Sequence, residues 1–549
     1  MKKWICVLMA AALSLIATAC AGGGAPEAQY GANIPSDDDF QEVYLEIDYD
    51  APVGYIEGFT KVTDHGAKGD GKADDTEAIK AALNAAQQEG AGFTLFFAKG
   101  TYRVTSAFTV PLSVTCVFEE GAMLYLEEGA SPIFNGSIRA NLWQVVSGKG
   151  SIRGTLSNKY VFPQWFGAKG DGKTDDSASF QQAINVASEV AIPATEKGYL
   201  LNKINLSSMK RIYGCDQEKT KIIGASSCTD LFFFPAGVNN VKIYNLSLDM
   251  SQTGESTCFY FSNKSTAQSH IELRSIDTEG AYHVVRDAQI GGASSIQFIT
   301  NTTVDRFHCK NTRNSVVLTK NFWGFIFFRN MVLDNSGIKE AYGVDGNYPA
   351  INIGDNAGAV LQEITIIGTG NDKNTKECGL YYDNNVATWL KNCVVKNTGG
   401  HAIEVVGGSH LYFNNLTLEN MGGCGMQIDS TPYVQIENAL IQGKGGDSKS
   451  AGIRLEKTVD AQVDKVKITG MGGDGLLIYN ASYNVITDLV SKNNEGNGYY
   501  DTGNSNTCVD AVLEGNKKVQ YRQRRDESVG VNITVNGQKI DKIEGAAEK

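Results

Sequence analysis

From Lys376 to Asn506 one short phrase returns at almost constant spacing. A Gly or Ala is followed by three or four mostly apolar residues, beginning at Gly379, Ala402, Gly425, Gly452, Gly475 and Gly498, at intervals of 23, 23, 27, 23 and 23 residues. Weaker copies are read upstream from Ala350, Ser315, Ala281, Cys258 and Asp230. A period of this length marks a stacked architecture rather than an ordinary globular core. Between the phrases lie further short β-type runs, such as 410–413 and 416–418, punctuated by Asn414, Asn415, Asn420, Gly422 and Gly423. Asn and Gly supply the turns that short strands need. No crossover helix fits beside three strands in 23 residues, so each repeat reads as one coil of a parallel β-helix.

The phase of the phrase assigns the faces. Side chains alternate along a strand, so positions one and three after the Gly or Ala point inward and stack from coil to coil. These include Leu380 and Tyr382, Ile403 and Val405, Met426 and Ile428, Ile453 and Leu455. Position two then faces water and reads His283, Val317, Asn352, Tyr381, Glu404, Gln427, Arg454, Leu477 and Tyr500. Position four reads Gly354, Asp383, Val406, Asp429, Glu456 and Tyr479.

A solenoid grows in one direction without limit, so 549 residues do not by themselves demand several domains. The net charge of -12 argues against a nucleic-acid partner, which would want a basic surface. The chain opens with Lys2 and Lys3, an apolar run from Trp4 to Ile16, and the small residues Ala17, Thr18 and Ala19 before Cys20. This resembles a bacterial lipoprotein signal, which implies export and lipidation at Cys20; Ala17 departs from that pattern, and a plain secretory signal is the alternative. Residues 21–60 are Gly- and Ala-rich and then acidic, as suits a flexible tether. The remaining nine cysteines contain no Cys-x-x-Cys pair and read as free, buried thiols rather than metal ligands.

Residues 64–75, Asp-His-Gly-Ala-Lys-Gly-Asp-Gly-Lys-Ala-Asp-Asp, return almost unchanged at 165–176, and each copy leads into an amphipathic helix pattern. The first stripe is Ala78, Ile79, Ala82, Leu83 and Ala86, and the second is Phe180, Ala183, Ile184 and Ala187. Such helices suit the open end of a β-helix, where they would hide unpaired edges. Asp74 followed by Glu77 marks the first helix start. Gly167 to Thr174 also fits the spacing of a phosphate-binding loop. Asp171, Asp175 and Asp176 would sit where phosphate should, so that reading is rejected.

The duplicated phrase resembles the opening of the pectate-lyase-like superfamily, which includes polygalacturonase- and rhamnogalacturonase-related proteins and phage tailspikes. Residues 97–102 resemble the strand that follows the helix there. The resemblance implies an all-β, right-handed parallel β-helix with N-terminal amphipathic capping helices. With the signal peptide at 1–20 and the tether at 21–60 read above, a small β-rich module follows at 61–160. A second opening motif and cap follow at 161–228, coils at 229–508, and a C-terminal cap or hairpin at 509–549. Polygalacturonases carry their catalytic residues on these coils. Gly400-His401-Ala402 resembles their Gly-His-Gly element, and Arg454-Leu455-Glu456 stands where Arg-Ile-Lys would fall. The three aspartates of the family's catalytic set are missing; only Glu377 stands near their places. That mechanism is therefore not carried over.

Strand geometry offers another constellation. Neighbouring coils lie roughly 4.8 Å apart and alternate residues on a strand about 6.8 Å apart. Glu404 is thus expected about 8 Å from Asp383 and Asp429, with Asp429 and Glu456 about 5 Å apart. Glycoside hydrolysis needs two carboxyl groups at about 5 Å for retention or about 6.5–9.5 Å for inversion. We take Glu404 and Asp429 as the acid/base pair, His401 and Arg454 as positioning or charge-stabilising groups, and Asp383, Tyr381, Gln427, Glu456, Tyr479 and Tyr500 as substrate-binding. A solvated face of balanced charges is the competing reading. A basic island at Arg306, His308, Lys310, Arg313, Lys320 and Arg329 offers the base a lyase would need, with scattered loop charge as the competing reading. No cofactor or metal is expected, except calcium for a lyase.

The expected function is cleavage of a linear polysaccharide by an exported protein. It is held in the cell envelope through its lipid alone, leaning toward the outer surface, with its oligomeric state open. The alternative is a non-catalytic glycan-binding or structural β-helix lipoprotein.

Overall fold

The computed structural model describes residues 54–88, 93–262, 266–288, 298–320, 322–337, 349–370 and 377–549. Cys20 and most of the expected tether lie outside these residues, as does Lys376.

Two long parallel sheets run the length of the stack. One has fourteen strands and one has twenty, and successive coils are neighbours in each. A coil consists of a short strand, a turn and a longer bent strand. Ile403–Val406 is followed by Ser409–Glu419, and the next coil begins at Met426–Asp429. The runs 410–413 and 416–418, expected as separate strands, form one strand bent at Asn415, which adopts a left-handed φ of 54°. Asn tolerates this conformation at low cost. Its side chain donates to Asn392 of the preceding coil at 2.8 Å, and Asn420 donates likewise to Asn397 at 3.2 Å. The asparagines thus bend the chain and stitch coil to coil.

The expected inner ladder is present. Leu380, Ile403, Met426, Ile453 and Leu476 are consecutive partners, all fully buried. A second ladder runs through Tyr382, Val405, Ile428, Leu455 and Ile478. The small residue before each ladder has a steric cause. A Cβ on Gly379 would lie 2.6 Å from the Ala402 carbonyl oxygen, and one on Gly425 would lie 2.6 Å from that of Gly452.

The phase fails upstream of Ala350. His283 and Val317, expected outside, are buried. The outward row instead runs Phe233, Tyr260, Arg286, Leu318, Asn352, Tyr381. Three copies therefore start later than expected, at Leu231, Val284 and Val316 rather than Asp230, Ala281 and Ser315. Weak copies without a Gly give no fixed point for the count.

Parallel pairing also extends beyond 229–508. Tyr199 pairs with Ile222 before it, and Tyr499 with Tyr521 beyond it. The segment 60–148 is itself coiled, with Tyr102, Leu124 and Val146 in register. The strands Val529–Val535 and Gln538–Glu544 close the chain as an antiparallel hairpin.

Among the described residues two α-helices, α1 (Thr76–Gln88) and α2 (Ser177–Val186), follow the duplicated phrase. Ile79, Ala82, Leu83 and Ala86 of α1 and Phe180, Ala183 and Ile184 of α2 are buried; Ala78 is half-buried. Asp74 accepts the Thr76 N–H at 3.0 Å, and Asp175 accepts that of Ser177 at 2.9 Å. In each phrase the next aspartate turns back into the loop. Asp75 accepts from the N–H groups of Lys68 and Gly69 at 2.6 and 3.2 Å, and Asp176 from those of Lys169 and Gly170 at 2.7 and 3.0 Å. Donors that a phosphate would need are satisfied from within.

Candidate functional site

The outward face of the fourteen-stranded sheet carries the candidates. Tyr381, Glu404, Gln427, Arg454, Leu477, Tyr500 and Arg522 form one row, each the register partner of the next. Asp383, Val406, Asp429, Glu456 and Tyr479 form the adjacent row. Up to Tyr500 and Tyr479 these rows are the ones read from the sequence; Arg522 extends the first by one coil.

The side chains settle into narrower groupings. Val406 separates Asp383 from Asp429, so the acidic row is interrupted. Asp429 and Glu456 are register neighbours, and Lys457 places its ammonium 3.6 Å from both. Arg454 donates to Glu456 at 2.7 Å. Glu404 lies on the other row and accepts from the Cys378 thiol at 3.1 Å. Asp429 accepts from the Ser430 hydroxyl at 2.8 Å. Glu404 and Asp429 are therefore diagonal neighbours, each with its own partner.

His401 sits half-buried at the start of its coil, and its Nδ1 accepts the Cys424 backbone N–H at 2.7 Å. Accepting there fixes the neutral tautomer with its proton on Nε2. Burial holds its pKa below the ordinary 6.5; the Glu404 carboxylate pulls it up and the Arg454 guanidinium pushes it down. In this tautomer His401 offers a donor to a ligand and no free base.

The tyrosines differ among themselves. Tyr479 is 40 % exposed, with the Arg454 guanidinium 5.7 Å from its ring centre. Tyr500 is flanked by Arg522 and Arg524, each at 5.3 Å. Tyr381 is half-buried, and burial raises its phenol pKa.

The basic island does not assemble as one surface. Arg329 is buried against the fully buried Asp305 at 3.3 Å, and Arg306 reaches the same carboxylate at 3.8 Å. Arg313 donates to the carbonyl oxygens of Thr253 and Gly254 at 2.9 and 2.7 Å. Among the described residues, no group of three His, Cys, Asp or Glu side chains could hold a metal ion. The nine cysteines described are all free, and all but Cys215 are buried.

An open cleft of about 380 Å³ lies farther up the same outward face, where the misphased copies hid it. Asp230, Phe233, Glu255, Tyr260, Ser262 and Arg286 line it. Phe233 and Tyr260 stack with ring centres 5.7 Å apart, and Lys203 lies 3.9 Å from the Phe233 ring centre. The paired aromatic triplets 232–234 and 259–261 were the signal in the sequence: their middle residues face outward while Phe232, Phe234, Phe259 and Phe261 are buried.

Two stretches of the chain match descriptions of known families. Residues 59–117 match "Rhamnogalacturonase A/epimerase, pectate lyase-like", and residues 378–543 match "Right handed beta helix region". A 44-residue stretch is 57% identical to alginate lyase 7 of Azotobacter vinelandii; it spans 8% of this chain and 5% of that protein. Several solved structures are similar. The N-terminal fragment of gene product 12 of bacteriophage Phi29 has 13% identity and a TM-score of 0.48, covering 70% of this chain and 74% of that one. The A-module of a mannuronan C-5 epimerase of Azotobacter vinelandii has 15% identity and a TM-score of 0.35, with coverage of 69% and 95%. An exopolygalacturonase of Thermotoga maritima has 13% identity and a TM-score of 0.36, with coverage of 72% and 96%.

Proposed function

Taking the chain as a right-handed parallel β-helix of the pectate-lyase-like superfamily, we propose that it is a carbohydrate-active protein that cleaves a linear polysaccharide along its fourteen-stranded sheet. The observation that carries this reading is the unbroken outward row Tyr381, Glu404, Gln427, Arg454, which offers hydrogen-bonding and charged groups at each coil. A periodic polymer laid along a periodic face meets an equivalent set of groups at every step. Glu404 and Asp429 are the acid/base pair in this reading. His401 donates from Nε2 to a substrate oxygen, and Arg454 holds charge. The solved structures of similar fold include an epimerase and a polygalacturonase by name. A polysaccharide as substrate accords with these.

A second reading has its own support. Arg454 and Lys457 engage Glu456 and Asp429, which is how a solvated, charge-balanced binding face is built. The protein is then a non-catalytic glycan binder. Incubation of the purified protein with a panel of polysaccharides separates the two. New reducing ends alone indicate a hydrolase, and reducing ends with unsaturated-uronate absorbance indicate a lyase. Binding without either supports the binder. Product undiminished in a Glu404→Gln, Asp429→Asn double variant would leave an enzyme with its centre elsewhere.

We further propose export, with retention in the cell envelope through a lipid on Cys20.

A further inference from the structure

The cleft between Asp230 and Arg286 lies on the same outward face as the Glu404–Asp429 group but apart from it along the stack. From Arg286 the outward row passes through Leu318, Asn352 and Tyr381 to Glu404. Four coil steps put the two about 19 Å apart along one line.

Its chemistry is mixed in a particular order. The first coil contributes Asp230 and Phe233, the second Glu255, Tyr260 and Ser262, and the third Arg286. Phe233 and Tyr260 give one apolar wall. Asp230 and Glu255 are hydrogen-bond acceptors, and Ser262 both donates and accepts. Arg286 stands at one end of the wall. Its Nε is buried and has no hydrogen-bond partner among the described residues. A buried guanidinium N–H without an acceptor is costly, and an anionic oxygen is the acceptor it binds best. The loop that carries Glu255 is held by Arg313, which donates to Thr253 and Gly254. The cleft is therefore braced from below. Its volume falls in the lower part of the range for small-ligand sites, about 300–1,000 Å³. It suits one or two sugar units rather than a long chain segment.

We propose that this cleft is an anchoring site for a hydroxyl-rich sugar unit bearing a single negative charge, four coils along the same face from Glu404. The anionic group meets Arg286, the hydroxyls donate to Asp230 and Glu255, and the ring's C–H surface lies against Phe233 and Tyr260. Lys203 stands 3.9 Å from Asp230 and balances one of the two carboxylates, so Arg286 is the group in the lining that takes the anion. A carboxylate and a sulfate ester share this chemistry. The anchoring role rests on the polysaccharide reading above; binding in the cleft does not. Chains long enough to span both regions gain from simultaneous engagement, and short ones do not.

The test is calorimetric titration of the full chain with a uronic disaccharide, a sulfated disaccharide and a neutral disaccharide. Either anionic ligand binding at least about tenfold tighter than the neutral one supports the proposal, and the tighter of the two names the anion. Arg286→Gln is expected to remove that preference while neutral-sugar binding stays unchanged. Arg286→Lys, which keeps the charge and deletes Nε, is expected to fall between. Tyr260→Ala is expected to weaken all ligands together. In the Glu404→Gln, Asp429→Asn double variant the anionic preference itself is expected to remain. Equal affinity for charged and neutral sugars overturns the proposal, as does an Arg286→Gln protein that retains the preference. Anionic binding in a protein that cleaves nothing leaves the cleft standing and removes the enzymatic reading. Cleavage without anionic binding does the reverse.

Discussion

Arg454 and Glu456 lie two residues apart on one strand, hence on one face, and the guanidinium donates from both Nε and Nη2 to a single carboxylate oxygen, at 3.1 and 2.7 Å. The pair is half-buried, and Lys457 approaches the other carboxylate oxygen at 3.6 Å. Glu456 is thus neutralised from two sides. Arg454→Ala is expected to cost about 1 kcal/mol of stability or less, because a partly exposed pair contributes little. If Arg454 holds charge on the substrate, product formation falls by about tenfold or more in the same variant. Reducing-end assays beside a urea melt distinguish the two effects.

The inner ladder carries far more. Leu455 is fully buried between Ile428 and Ile478. Leu455→Ala is expected to lower stability by about 2–5 kcal/mol, since the stacked coils can close only part of the void. The shift in the denaturation midpoint measures it.

The duplicated phrase makes a separate prediction. Asp176 is buried and accepts two loop N–H groups. Asp176→Ala leaves those donors without a partner and is expected to cost about 1–3 kcal/mol per group left buried. Added ATP is expected to leave the melting temperature of the parent protein unchanged.

A buried histidine sets a pH dependence. His283 is 2 % exposed, and its Nδ1 donates to the Ser315 carbonyl at 3.0 Å. Burial lowers its pKa from 6.5 to about 3; the Ser315 bond opposes that, Arg286 adds to it, and Glu255 opposes it. The unfolded chain takes up a proton as pH falls below 6.5, whereas the folded chain does not until about 3. Stability contributed by neutral His283 is therefore full above pH 6.5 and lost progressively down to about pH 3, a change on the order of a few kcal/mol. His283→Asn keeps a donor without a titrating group, and its stability is expected to fall less steeply across that window.

The proposed lipid anchor rests on Cys20 at the end of the first twenty residues. Cys20→Ala is expected to move the protein from the membrane fraction to the soluble fraction of the expressing cells. A variant still sedimenting with membranes would falsify the lipid anchor.

The sequence alone determined the repeat, the strand phase from Gly379 onward and the composition of both outward rows. Gly425 and Gly452 sit where no Cβ fits, and a Gly or, at Ala402, a small Ala marks each of these coils in the residue string itself. Before Ala350 the marker is lost and the residue string gives no fixed phase, so the burial of His283 and Val317 is not legible in it. The rejection of a phosphate loop was also legible, because the aspartates that fill it are written in the phrase. Only the tertiary structure decided which partner each charge takes. Arg454 turns along its own strand to Glu456, Arg329 turns inward to Asp305, and Arg313 crosses to the Thr253 loop. Periodicity fixes where a Cα stands and which face its side chain leaves from. It does not fix the rotamer of a long side chain, which answers to neighbours brought in from other coils. The cleft at Arg286 has the same origin: three coils, 27 and 26 residues apart at Phe233, Tyr260 and Arg286, enclose a space that no one of them encodes.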